Sequence, residues 1–257
     1  MSEIQIQAIP AFSDNYIWLI KQAENAYIVD PGDAKPVFEV IEQQKLNLKG
    51  ILVTHWHGDH IGGIKDLLLA FPQLSIIGPD SEKIPMIKTI VEDGEKIKLF
   101  DDVEFEVLSI PGHTLDHIAY YQKDSVSLFC GDTLFVAGCG RVFEGTFKQM
   151  LDALNKLNKL PTETQIYCAH EYTLSNLAFA QAVEPGNVKI QEKITACEKL
   201  RADNLSTVPS SLSEERETNP FLRYAKEEVI NAALNQGATS DQALDVFTTL
   251  RQWKNEF

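Results

Sequence analysis

Ile51-Leu52-Val53-Thr54-His55-Trp56-His57-Gly58-Asp59-His60 is the stretch on which the fold turns. Its first three residues are apolar without interruption, as expected of a short strand covered on both faces. The character then reverses: three imidazoles and a carboxylate fall within the six residues from His55 to His60. In layered α/β proteins, catalytic groups gather on loops at strand ends. In extended geometry His55 and His57 point the same way. Asp59 and His60, at the entry to a following helix, turn toward a neighbouring point. So dense a set of imidazole and carboxylate donors suits a metal ion better than a core or a polar surface loop.

The same placement recurs downstream. His113 follows the apolar run Val107–Ile110 through Pro111-Gly112, Asp132 follows Val126–Cys130 through Gly131, and His170 follows Ile166–Ala169. Each alone reads as an ordinary loop residue. Joined to the first motif they give a candidate ligand set of His55, His57, Asp59, His60, His113, Asp132 and His170. A catalytic zinc typically takes three protein ligands and a water, so this set overfills one site. Two such sites sharing a carboxylate would use it fully, as a dinuclear centre with metals ~3.5–4 Å apart and a shared hydroxide.

Outward from the motif, the chain alternates strand-like and helix-like runs as far as about residue 170, the pattern of a layered α/β domain. Strands are expected at Ile4–Ala8, Tyr16–Ile20, Ala26–Val29, Ile51–Val53, Val103–Ile110, Ile118–Tyr121, Val126–Cys130 and Ile166–Ala169. A short helix spans Val37–Ile41. A longer one spans Phe147–Leu160, its apolar residues on one stripe and Thr146 with Gln149 forming a capping box. After His170 strand signals vanish. Helices are expected over Leu174–Val183, Val188–Asn204, Lys226–Gln236 and Ser240–Lys254, with a Ser/Pro-rich stretch at Ser206–Ser213. The division is therefore residues 1–171 and a smaller helical domain, 172–257.

Composition narrows the function. With 23 Lys+Arg against 37 Asp+Glu the net charge is −14, which argues against a nucleic-acid surface. An anionic substrate would need local basic residues inside this negative field. No apolar run is long enough to span a membrane, and the N-terminus lacks the features of a signal peptide. The four cysteines form no C-x-x-C pair and are too few for a disulfide scaffold. A cytoplasmic protein is expected.

The H-x-H-x-D-H run, Gly112-His113, Gly131-Asp132 and the late His170 resemble the metallo-β-lactamase superfamily in type and order. Finer motifs are similar to one family within it, the hydroxyacylglutathione hydrolases (glyoxalase II). These are Asp14-Asn15-Tyr16, Gly131-Asp132-Thr133-Leu134-Phe135, Gly138-Cys139-Gly140-Arg141, Phe143-Glu144-Gly145-Thr146, Ala169-His170-Glu171-Tyr172-Thr173 and Asn176-Leu177. Asn219-Pro220-Phe221-Leu222-Arg223 and the terminal Arg251-x-x-Lys254-x-x-Phe257 extend the resemblance over essentially the whole chain.

The resemblance implies an α+β fold: a four-layer αββα sandwich, with metals at one edge of the paired sheets, and a smaller C-terminal helical domain that binds substrate. It implies that His55, His57 and His113 hold one metal, that Asp59, His60 and His170 hold the other, and that Asp132 bridges. Two divalent ions are implied, zinc foremost, with iron or manganese as alternatives for His/Asp ligation. Arg141, Phe143, Tyr172, Arg251 and Lys254 stand where the family holds glutathione. Some members carry Tyr at the position of Phe143, which here can only pack. Arg251 and Lys254 are three apart on one helix face, suited to meeting a carboxylate.

Other residues receive plainer readings. Cys130 and Cys168, each two residues before an expected ligand, read as small buried hydrophobes. His117 reads as a non-ligand, either orienting a ligand or hydrogen-bonded in its strand. Asp116 stands where members often have Gly, a local turn difference. Asp30 is expected beside the metals without binding them, and Trp56 as a wall.

The implied reaction is hydrolysis of the thioester of an S-(2-hydroxyacyl)glutathione, S-lactoylglutathione foremost, to glutathione and a 2-hydroxy acid. This is a step of methylglyoxal degradation, carried out by a monomer. The nucleophile would be a hydroxide held at the two metals by Asp59 and Asp132, since bound water falls in pKa from about 15.7 toward ~7. Metal charge would stabilise the oxyanion, and a thiolate of pKa ~8.5 leaves with little help. The alternatives are a glutathione persulfide dioxygenase of the same superfamily using one iron, a different hydrolase of this fold, and a non-catalytic metal-binding protein. A β-lactamase is disfavoured by the N-terminus and a nuclease by the charge.

Overall fold

Alternation of apolar and polar residues opens the first strand, and continuous buried runs at Tyr16 and Ile51 build the strands that follow. The computed structural model describes residues 4–101 and 103–257. The chain falls into two compact units, one running to Ser109 and resuming over Asp116–Gly131, the other made of Ile110–Leu115 and Asp132–Phe257.

The first unit opens with β1 (Gln5–Ala11), β2 (Asn15–Gln22), β3 (Asn25–Val29), α1 (Ala34–Gln44) and β4 (Asn47–Leu52). It continues with α2 (Gly58–Ile61), α3 (Ile64–Ala70), β5 (Ser75–Gly78) and β6 (Thr89–Ile90). These strands form one sheet in chain order, β1 to β6. Its first three strands are antiparallel neighbours and its last four pair in parallel. Ile51, Leu52 and Val53 have no exposed surface, so β4 is covered on both faces, as its sequence requires. Apolar residues of α1 and α3, Val37, Ile41, Ile64 and Leu67, join this core. A second antiparallel array follows: β7 (Lys96–Phe100), β8 (Val103–Ser109), β9 (Ile118–Gln122) and β10 (Ser127–Gly131). Tyr120 on β9 ties the arrays together, its hydroxyl donating to the carbonyls of Val53 and Ile77 at 2.9 and 3.2 Å.

The second unit begins, after its short segment 110–115, with a hairpin of two-residue strands, β11 (Leu134–Phe135) and β12 (Gly138–Cys139). Then come α4 (Phe147–Leu157), β13 (Gln165–Cys168), α5 (Thr173–Val183), α6 (Val188–Ala202), β14 (Ser210–Ser211), α7 (Leu212–Thr218), α8 (Glu227–Asn235) and α9 (Ala243–Glu256). The capping box expected at Thr146 and Gln149 is formed at the start of α4. Phe179, Phe221 and Phe247 are fully buried, and Trp253 meets Phe179 edge-on at 5.1 Å.

Two expectations need correcting. Strand does not cease at His170: Ser210 and Ser211 pair with Ile166 and Gln165. The Ser/Pro-rich stretch also hides the start of α7, where Ser211 and Glu214 make a second capping box. A two-residue strand has no room for an alternating pattern, and serine is as much a cap as a turn residue.

Candidate metal centre and substrate cavity

In the first unit the site begins at Thr54, just past β4. Its backbone N–H and its hydroxyl donate to Asp30 at 2.8 and 2.6 Å. With its only proton so committed, Thr54 Oγ1 accepts from His55 Nδ1 at 3.0 Å. His55 Nε2 is thereby left as a lone pair, and it faces His57 Nδ1 at 3.2 Å. Asp30 also accepts from His60 Nδ1 at 3.0 Å. That bond turns His60 Nε2, as a lone pair, toward the Asp59 carboxylate 3.5 Å away. The Asn15 amide donates to Asp59 Oδ2 at 2.9 Å.

Donor atoms of Asp30, His55 and His60 lie within 4.8 Å of one another. Both Asp30 oxygens already accept hydrogen bonds, so Asp30 orients the imidazoles instead of binding, the usual partnership of a carboxylate and a ligating histidine. Its backbone is left-handed, φ 53°, which Asp tolerates better than most residues. The loop then crosses the histidine motif so closely that a Cβ on Gly32 would stand 1.8 Å from the Asp59 carbonyl oxygen. His117 stacks flat on His55 at 4.5 Å between ring centroids, and its Nδ1 donates to the Ile118 carbonyl. Trp56 packs against the sheet core and meets His57 edge-on at 4.5 Å.

In the second unit the segment carrying His113 is stapled to the loop before α4. The His113 carbonyl accepts from the N–H groups of Phe143 and Glu144, and its Nδ1 donates to the Arg141 carbonyl at 2.8 Å. In the neutral ring this leaves Nε2 as the acceptor, and it faces Asp132 Oδ2 at 3.4 Å. The other Asp132 oxygen lies 3.3 Å from His170 Nε2. An imidazole nitrogen set against a carboxylate needs positive charge between the two, a second ring proton or a cation. The His60–Asp59 pair has the same character. Imidazole and carboxylate donors so arranged fit a divalent cation.

Beside His113 and Asp132 the second unit encloses a cavity of about 410 Å³, lined also by Arg141, Phe143, Tyr172, Arg251 and Lys254. All five residues expected to hold substrate therefore share one cavity with two expected ligands. Tyr172 lies parallel to His170, 4.7 Å between centroids, and Phe143 meets His113 edge-on at 5.3 Å. Burial, then the charges of Arg251 and Arg141, depress the Lys254 pKa below its ordinary 10.5. Three cations held this close concentrate positive charge at the cavity in a chain of net charge −14. Arg251 also serves the fold: it is buried, and its Nη1 donates to the Cys139 carbonyl at 2.5 Å. Phe135, Cys139, Ser175 and Asn176 complete the lining. Most of these stood in the quoted motifs without an assigned role. Cys130 and Cys168 are fully buried, and burial pushes the Cys168 thiol up to about 12. At neutral pH Cys168 therefore stays a thiol.

The family model of the metallo-β-lactamase superfamily matches residues 11–170, and that of the hydroxyacylglutathione hydrolase C-terminus matches residues 171–257. Hydroxyacylglutathione hydrolase 2 of Vibrio vulnificus is 53% identical over 99% of this chain and all of its own length. The chain belongs to the hydroxyacylglutathione hydrolase family. The hydroxyacylglutathione hydrolase of Photobacterium profundum is 51% identical over the same shares. The fold is that of the metallo-β-lactamases, α+β with a C-terminal helical region. ETHE1 from Myxococcus xanthus superposes with a TM-score of 0.65 at 25% identity, covering 98% of this chain and 99% of its own. The BLEG-1 B3 metallo-β-lactamase reaches the same TM-score at 20% identity, over 85% of this chain and 99% of its own. Among the described residues, no helix is long and apolar enough to cross a membrane.

Proposed function

We propose that this hydroxyacylglutathione hydrolase family member cleaves the thioester of S-(2-hydroxyacyl)glutathione, S-lactoylglutathione foremost, giving glutathione and the 2-hydroxy acid. One observation carries the reading: a single cavity brings His113 and Asp132 together with the cations Arg141, Arg251 and Lys254. Glutathione offers carboxylates for the cations and a thioester for the metal end. In this reading His55, His57 and His113 hold one divalent ion, Asp59, His60 and His170 the other, and Asp132 bridges. Zinc is our choice of metal, and a cytoplasmic monomer our choice of state. Residues 1–171 supply catalysis and 172–257 substrate binding.

When bound, such ions supply a water acidified toward neutrality and positive charge for the developing oxyanion. The chain does the rest. Asp30 and Thr54 hold the tautomers of His55 and His60, and the Arg141 carbonyl holds that of His113. Arg141 and Lys254 fix the peptide, so that the thioester carbon lies next to Asp132. As water's oxygen bonds to that carbon the C–S bond breaks. The sulfur leaves as a thiolate of pKa ~8.5, so no protein acid is required.

The test compares S-lactoylglutathione with a lactoyl thioester lacking glutathione, on metal-analysed protein. At least tenfold higher kcat/KM for the first is expected. Equal rates would reject the recognition residues. No thioester cleavage, with oxygen consumed on glutathione persulfide, would replace the reading with a dioxygenase.

A further inference from the structure

The hairpin β11–β12 is too small to stand alone, since even full-length isolated hairpins are marginal in water. It is also buried, and its tip residue Ala137 is left-handed, φ 54°. Side chains of the helical segment take up its backbone groups one after another. Asn219 Nδ2 donates to the carbonyls of Phe135 and Gly138 at 3.2 and 2.9 Å. Asn176 donates to that of Val136 at 3.0 Å, and Arg251 to that of Cys139. The Ala137 N–H donates to Glu215 Oε2 at 2.7 Å.

Glu215 is the hub. Its Oε2 also accepts from Asn219 at 3.0 Å, while its Oε1 accepts from Ser210 and from Lys193 at 2.6 and 3.0 Å. Its side chain has no exposed surface, and Lys193 is its counter-ion. A charge buried this deeply persists only when paired and fully hydrogen-bonded. The groups it holds are those of the hairpin, whose Phe135 and Cys139 line the cavity and whose chain continues directly to Arg141. Neither Glu215 nor Asn219 lines the cavity.

We propose that Glu215, acting with Asn219, is a positioning residue for glutathione recognition: its carboxylate fixes the hairpin that carries one wall of the cavity and delivers Arg141. This rests on the function proposed above. Glu215→Gln keeps an oxygen for the Ala137 N–H and for Asn219 but sets an amide N–H against Lys193 and Ser210, so the clamp loosens without a change in volume.

The experiment measures kcat and KM of wild type and Glu215→Gln on S-lactoylglutathione and on a thioester without glutathione, together with metal content, melting temperature and calorimetric binding of glutathione. The expected result is a KM raised on the order of tenfold for the glutathione thioester, the scale of one lost charged hydrogen bond. The KM for the other thioester and the metal content stay at wild-type values. A lowered melting temperature with unchanged KM and glutathione binding would overturn the proposal, as would equal KM changes for both substrates. Should Glu215→Gln not fold, Asn219→Ala is read by the same criteria. Wild type without preference for glutathione would sink the functional reading instead. Weaker glutathione binding in the variant would still support the positioning role.

Discussion

Thr54 has a single hydroxyl proton, and its destination decides how two imidazoles are used. Because it goes to Asp30, His55 must donate from Nδ1 and His60 is held by the same carboxylate. Asp30→Asn replaces one accepting oxygen by a donor and breaks this sequence of bonds. The expected outcome is an about 10–100-fold loss of metal affinity, the usual cost of removing such an orienting group, measured by competition with a chromophoric chelator. Unchanged affinity would show that Asp30 serves only the loop. Lys254 makes a second prediction. Its pKa is depressed, so its charge is lost at a lower pH than that of an ordinary lysine. The kcat/KM for a glutathione thioester should then fall on an alkaline limb centred below pH 10.5. Lys254→Arg keeps the charge and should move that limb upward. A profile identical in the two proteins would remove Lys254 from recognition.

At the scale of elements, legibility follows length and locality. The strand at Ile51 and the histidines after it could be read because an apolar run ends abruptly in metal donors, a contrast contained within ten residues. Helix α4 could be read from its stripe and its cap. Thr146→Ala should cost about 1 kcal/mol through loss of that cap, visible in urea unfolding as a shifted midpoint with unchanged slope. The hairpin β11–β12 could not be read, because strands of two residues show no period and its bonds come from side chains 40 to 112 positions away. Asp30 could be suspected but its partners could not be named, since the contact with Thr54 spans 24 residues. Family resemblance, not periodicity, pointed to the five cavity residues, and the structure gathers them around one space.

Across the whole molecule the donors come in two groups, each held by hydrogen bonds within its own unit. Asp30 and Thr54 serve the histidines of the first unit, and the Arg141 carbonyl serves His113 in the second. On the proposed reading each metal draws ligands from both groups, and hydrolysis needs both metals bound. The most direct measurement is a zinc titration of rigorously chelated protein, following S-lactoylglutathione cleavage and bound metal together. The account predicts no turnover without metal and activity that levels off at two zinc ions per chain. Full turnover in the chelated protein, or a plateau at one ion, would contradict it.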